Sequence, residues 1–165
     1  MELNSWSQEN WEKYKRHLKK STEGVWVVAK YLNNLGYDTK VNATKIAPTR
    51  KEYFDYVDKG DIEISGKCSP RIIEVKNVSL KFTSHQDFPY ETFIVCAKKA
   101  YDRHDKKPYA YVIVNNDKTH AITVSTDTYD KWEVKEFKDK RYENYKQMFY
   151  VSRPMYHQII KINGY

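Results

Sequence analysis

The chain has 165 residues, 40% hydrophobic and 31% charged, a balance that fits one globular domain with a real core and excludes a disordered segment. Its net charge of +7 favours a polyanionic partner, and no apolar run approaches the roughly 20 residues that a membrane-crossing helix needs. Two cysteines, Cys68 and Cys96, are too few for a disulfide framework, and the start MELNSWSQENWEK lacks the basic-then-apolar pattern of a secretory signal, so the cytoplasm is the expected compartment.

Over residues 7–35, Trp11, Tyr14, Leu18, Val25, Val28, Leu32 and Leu35 recur at three- and four-residue steps, the stripe of an amphipathic helix. Ser7 can cap its start and Gly36 can end it in a left-handed conformation. Lys20, Ser21 and Thr22 interrupt the stripe, which allows for two helices meeting near Ser21. Residues 37–44 read as a strand. IAPTRKEYFDYVDKG reads as a loop with one helical turn at 50–57, basic at Lys45, Arg50 and Lys51.

The stretch GDIEISGKCSPRIIEVKN, residues 60–77, holds two alternating runs joined by a Gly, Ser and Pro turn, the pattern of a hairpin. A polar loop over 79–89 leads to ETFIVCAKKAYDRH, whose period is ambiguous and allows a strand running into a helix. YAYVIVN and HAITVS flank the turn NNDK as a second hairpin, and the aromatic tail from 132 reads as short strands with a connection around 138–145. This order predicts one α/β (or α+β) domain over 1–165 with a single central sheet. The 15 tyrosines, beside many Lys and Asn, also match the coding bias of an AT-rich viral, phage or low-GC bacterial genome.

The two strands of the first hairpin carry acids as well as apolar residues. Alternate side chains of a strand share a face, so Glu74 and Lys76 point together, opposite Ile73 and Val75, and Asp61 and Glu63 point opposite Ile62 and Ile64. If the strands pair across SGKCSP, Asp61 comes close to Glu74. Two carboxylates meeting this way repel unless a cation or proton lies between them. Hard oxygen ligands suit Mg²⁺ or Mn²⁺, and Lys76 could orient an attacking water. Alone, an E-x-K triplet on a half-exposed strand is ordinary, since opposite charges at that spacing solvate one face.

The pattern GD…ExK resembles that of the PD-(D/E)XK nuclease superfamily, and KKSTEGVWVVAKYLNNLGYDTKV resembles the first helix and strand of its resolvase- and restriction-type members, with Glu23 at the acidic position. The likeness covers about residues 20 to 90. It implies a restriction-endonuclease-like mixed sheet flanked by helices. It also implies Asp61, Glu74 and the carbonyl of Val75 as ligands of Mg²⁺ or Mn²⁺, Lys76 as the residue that positions water, and Glu23 as an assistant. A polar residue often follows the ExK strand in that superfamily, and Gln86 is the candidate here. Gly60 stands where Pro is usual. The implied activity is hydrolysis of phosphodiester bonds, with DNA expected ahead of RNA and a homodimer permitted.

Other chemistries have less behind them. The five histidines lack zinc-ligand spacing, and there is no P-loop, dinucleotide fingerprint or GxSxG. Lys98, Lys99 and Arg103 interleave with tyrosines and join Lys45, Arg50 and Lys51 as candidate nucleic-acid contacts. Two alternatives stay open at this level: a nucleic-acid-binding or assembly protein without catalysis, and a ribonuclease acting on structured RNA.

Overall fold

The computed structural model describes residues 8–42, 60–139 and 145–164. A helix, α1 (Gln8–Asn34), opens the chain and runs unbroken through residues 20–22. Ser21 Oγ donates to the Leu18 carbonyl at 2.7 Å and Thr22 Oγ1 donates to the same carbonyl at 3.3 Å. The hydroxyls are satisfied by the helix itself, so two helices do not form. The polar interruption marks instead a change in what the helix faces: a cavity before it, a sheet after it. At the C-terminus Gly36 has φ +91°, its amide donates to the Asn33 carbonyl at 2.9 Å, and the Tyr37 amide donates to that of Leu32 at 3.2 Å. That pair of bonds needs a left-handed residue, which glycine supplies without strain. The expected cap Ser7 and the helical turn at 50–57 lie outside the described residues.

Among the described residues nine strands follow: β1 (Asp38–Val41), β2 (Ile62–Ser65), β3 (Arg71–Asn77), β4 (Phe93–Ala97), β5 (Ala110–Val114), β6 (His120–Ser125), β7 (Glu133–Asp139), β8 (Tyr145–Ser152) and β9 (Gln158–Lys161). Six form a mixed sheet in the order β1-β2-β3-β5-β6-β9, in which β3 and β5 are parallel and every other pair is antiparallel. The other three form a second sheet, β4-β8-β7, and a short helix, α2 (Lys98–Arg103), continues from β4. Both expected hairpins are present. The second sheet is an addition to the expectation, because it covers a face on which helices were anticipated.

Alternation along the strands explains the layers. Ile62, Ile64, Ile73, Val75, Val112 and Val114 bury one face against Val25, Val28 and Ala29 of α1. Tyr111, Ile113, Ile122 and Val124 bury the other against Phe93, Val95, Tyr101, Trp132 and Tyr150. Strand β5 is apolar on both sides because both are covered. No described residue of β2 or β3 belongs to the second core, so the outward positions of those strands are free to be acidic or basic. Among the described residues no helix is long and apolar enough to cross a membrane.

Between the second sheet and the segment that follows it lies a buried polar contact: Ser152 Oγ and His157 Nε2 are 2.7 Å apart, with the Phe93 ring edge-on to the imidazole. Burial, aided by the charge of Lys131, lowers the His157 pKa to about 4. An unfolded histidine titrates near 6.5, so between these values the unfolded chain binds more protons. Stability is therefore fully present above about pH 6.5 and falls as pH drops towards 4. Urea unfolding at pH 7 and pH 4.5 should differ by about 2 kcal/mol from this group, and His157→Gln should remove that part of the difference.

Candidate active site

The strands β3 and β5, being parallel, end at the same edge of the large sheet. Strand β2 runs the other way, so Asp61, just before its first residue, lies at that edge too. The register pairs Ile62 with Ile73; one step outward sets Asp61 opposite Glu74. There the main-chain ladder stops. The Val75 amide donates to Asp61 Oδ2 at 2.7 Å, where a continuing strand would have supplied a carbonyl. Because the N–H and C=O of one strand residue point to the same side, the Val75 carbonyl is directed towards Asp61 as well.

The path into Asp61 is set by its neighbours. Asn42 donates its amide to the Asp61 carbonyl at 2.9 Å and its carboxamide to the Gly60 carbonyl at 3.0 Å. Gly60 has φ +114°, and a Cβ there would run into the Ile72 side chain. Proline is held near φ −65°, so this backbone cannot accept the Pro usual in the superfamily that the motif resembles. Gly60 is the residue that this turn demands.

Asp61, Glu74, Val75 and Lys76 line a cavity of about 820 Å³, and Glu23 reaches it from α1. Helix and sheet edge meet closely here. Asn77 Nδ2 donates to the Ser21 carbonyl at 3.1 Å, and a Cβ at Gly24 would overlap the Asn77 carboxamide. The Glu23 carboxylate is largely exposed and lies 3.5 Å from the Lys118 ammonium. Lys118 sits in the β5–β6 turn at φ 57°, a conformation uncommon outside glycine. Buried Asn115 holds that turn: its carboxamide donates to Phe82 O at 2.9 Å and Thr119 Oγ1 at 3.0 Å, and accepts from the Thr119 amide at 2.9 Å.

Cys96 and Tyr111 also line the cavity, beside Glu74 and Lys76. Burial pushes the Cys96 thiol up to about 11, and the charges of Lys76 and Glu74 act on it in opposite directions. Burial likewise raises the Tyr111 phenol, which is hydrogen-bonded to Cys96. Both groups stay protonated at neutral pH, so this part of the wall is polar but uncharged.

Four of the five expected catalytic residues thus meet at one cavity. Gln86 does not: it is exposed in a loop folded on itself. Asp87 accepts from Thr83 Oγ1 at 2.6 Å and from the Thr83 and Ser84 amides at 2.8 and 2.9 Å, which holds its pKa down at about 2. His85 Nε2 is tied to the His157 carbonyl at 2.7 Å. The polar residue after the ExK strand that does line the cavity is Asn77. Among the described residues no three His, Cys, Asp or Glu side chains form a group that could hold a metal ion. The ligand set implied by the resemblance asks for fewer: two carboxylates and one carbonyl.

The expected nucleic-acid contacts divide. Lys99 and Arg103 are exposed on α2, which borders the cavity through Ala97, Ala100, Tyr101 and His104. Lys98 is half-buried and bonded to Asp102, with its ammonium 5.7 Å from the Tyr150 ring centre. Lys45, Arg50 and Lys51 lie outside the described residues. Asn77, Asn116 and Lys118, which no motif marks in the sequence, also line the cavity, and α1 carries the basic run KYKRHLKK. The charge run was visible; the NNDK turn needed the β3–β5 pairing to bring it there. No family model, curated protein or solved structure matches the chain.

The Gly24–Asn77 contact gives a direct test of how α1 is seated. In an isolated helix Gly→Ala stabilises by about 1 kcal/mol. Here Gly24→Ala is expected to destabilise by about 1 kcal/mol or more, because Asn77 must leave Ser21. In an Asn77→Ala background the same change should be neutral or stabilising, measured as a double-mutant cycle by urea unfolding.

Proposed function

We propose that the protein is a metal-dependent nuclease that hydrolyses phosphodiester bonds of DNA. The observation that carries this is the Asp61–Val75 hydrogen bond, 2.7 Å long, at the point where the β2–β3 ladder ends opposite Glu74. It holds one carboxylate against the strand that bears the other, with Lys76 two residues on and all three beside the same cavity. Structural carboxylates on a sheet face do not need a ladder to stop for them.

The donors fit a hard divalent cation, Mg²⁺ or Mn²⁺: Asp61, Glu74 and the Val75 carbonyl are oxygen ligands of the right hardness. Such an ion would supply charge for the phosphate oxygens and lower the pKa of water. Lys76, exposed at the end of β3, donates to the attacking water and fixes its direction. Glu23, 3.5 Å from the Lys118 ammonium, lines the same cavity and is the candidate to assist there. Cys96 and Tyr111 stay neutral beside Glu74 and so add no charge that competes for the ligand. The net charge of +7 favours association with a polyanion.

Purified protein should cut DNA in Mg²⁺ or Mn²⁺ and be silent in EDTA. Asp61→Asn keeps an oxygen for the Val75 amide but removes the ligand charge, and is expected to abolish cleavage. Lys76→Ala leaves both carboxylates in place and should slow cleavage by about a hundredfold or more. Binding measured without metal should survive both changes and weaken steeply as salt rises. Binding without any cutting by the wild type would instead favour a non-catalytic nucleic-acid protein.

A further inference from the structure

The β5–β6 connection brings a strained residue to the cavity. The Lys118 amide donates to the Asn115 carbonyl at 3.1 Å, which closes a tight turn, and Lys118 itself has φ 57°. Glycine or asparagine meets a left-handed position of this kind with least strain; a lysine, with its long side chain on Cβ, is disfavoured there. The surrounding bonds hold it in place all the same. Buried Asn115 bonds through its carboxamide to Phe82, Thr119 and His120, and the Asn116 amide donates to the Leu80 carbonyl at 2.8 Å. Strained residues that the surroundings over-determine in this way gather at ligand sites. Lys118 lines the same cavity as Asp61, Glu74 and Lys76.

Its ion pair does not account for the lysine. The ammonium lies 3.5 Å from the Glu23 carboxylate, but the side chain of Glu23 is 73% exposed and that of Lys118 31%. A pair so open to water contributes little to stability. The register shows where the charge stands. Glu74 is opposite Tyr111 and Asn77 is opposite Val114. The turn after Val114 therefore begins about 10 Å beyond Glu74 along the strands, three residues at about 3.3 Å each. Lys76 shares a strand face with Glu74, while Lys118 brings a second positive charge from further out.

We infer that Lys118 is a phosphate-binding residue, whose ammonium leaves Glu23 for a phosphate flanking the scissile one when nucleic acid enters. This rests on the nuclease reading and adds a substrate contact to it. The exchange suits both charges. In the free protein the ammonium offsets a carboxylate that would repel an incoming polyanion; in the complex it meets a phosphate, and Glu23 is released at the cavity. The flexible lysine stem makes this move while the turn stays still. A lysine holds phosphate as a point charge, so the contact adds affinity without reading sequence.

The test is anisotropy of a fluorescently labelled DNA duplex with a single-stranded tail, titrated in EDTA over a range of salt. Each phosphate contact adds about one to the slope of log affinity against log salt. Lys118→Gln should lower that slope by about one and weaken binding by about five- to tenfold at roughly 0.1 M salt. Lys118→Arg should keep the slope. Lys118→Gly removes the charge and suits the left-handed backbone, so it should lose the same slope without lowering the urea midpoint. A lysine that served only to hold Glu23 and α1 would behave in the opposite way, with a lower midpoint and an unchanged slope. Glu23→Gln frees the ammonium and should tighten binding, by less in the Lys118→Gln background. Wild-type slopes in both Lys118→Gln and Lys118→Gly, or no DNA binding by the wild type, would overturn the inference. Gel analysis of cleavage in Mg²⁺ reads the nuclease separately. Cutting with unchanged slopes removes this contact and leaves the nuclease reading standing; a lysine-dependent slope without cutting removes the nuclease reading and keeps the contact.

Discussion

The parallel pairing of β3 with β5 is the constraint on which the rest of the molecule depends. Two parallel neighbours cannot be joined by a tight turn, so the chain must leave the sheet after Asn77 and return at Ala110. The excursion contains β4 and α2, and β4 pairs with β8 to begin the second layer. The same pairing brings the ends of β3 and β5 to one edge. Antiparallel β2 then delivers Asp61 there, and the β5–β6 turn delivers Asn116 and Lys118. A cavity at this edge, roofed by elements of the excursion on one side and by α1 on the other, follows from the connection.

The two faces of β3 divide the work. Ile73 and Val75 anchor the strand in the core shared with α1. Glu74 and Lys76 lie on the other face, where the second core stops short of β2 and β3. Charged groups there keep access to solvent while standing on a strand whose inner face is fully packed. That combination suits a site: the backbone cannot drift, and the side chains keep room to reach a ligand. The contrast with Cys96 and Tyr111 is instructive, since these sit where the second layer does cover the sheet and burial keeps them protonated.

Helix α1 serves two surroundings with one regular structure. Its second half is a packing helix, with Val25, Val28 and Ala29 against the sheet. Its first half projects past the sheet edge and becomes a wall. The hinge between the roles is Ser21 to Gly24, where hydroxyls bond back to the helix and a glycine lets the Asn77 carboxamide approach. A bulkier residue at Gly24 would separate the wall from the edge that it covers.

Sequence alone determined the elements whose apolar spacing is regular and whose ends are chemically marked: the helix with its Gly36 terminus and the two hairpins. It also determined which acids could meet, because the period of a strand assigns Glu74 and Lys76 to one face whatever the surroundings. The continuity of α1 past Ser21 was not legible, since a serine hydroxyl that satisfies itself and one that breaks a helix look the same in a sequence. Nor was the failure of Gln86 to join the cavity, which depends on Asp87 folding its loop back on Thr83 and Ser84. Asn77, Asn116 and Lys118 were hidden for a related reason. Their positions follow from the parallel register of β3 and β5 and from the seat of α1 on Asn77, and both are contacts between segments far apart in the chain. Local spacing specifies what an element is and which face a residue takes; only tertiary pairing decides which faces meet.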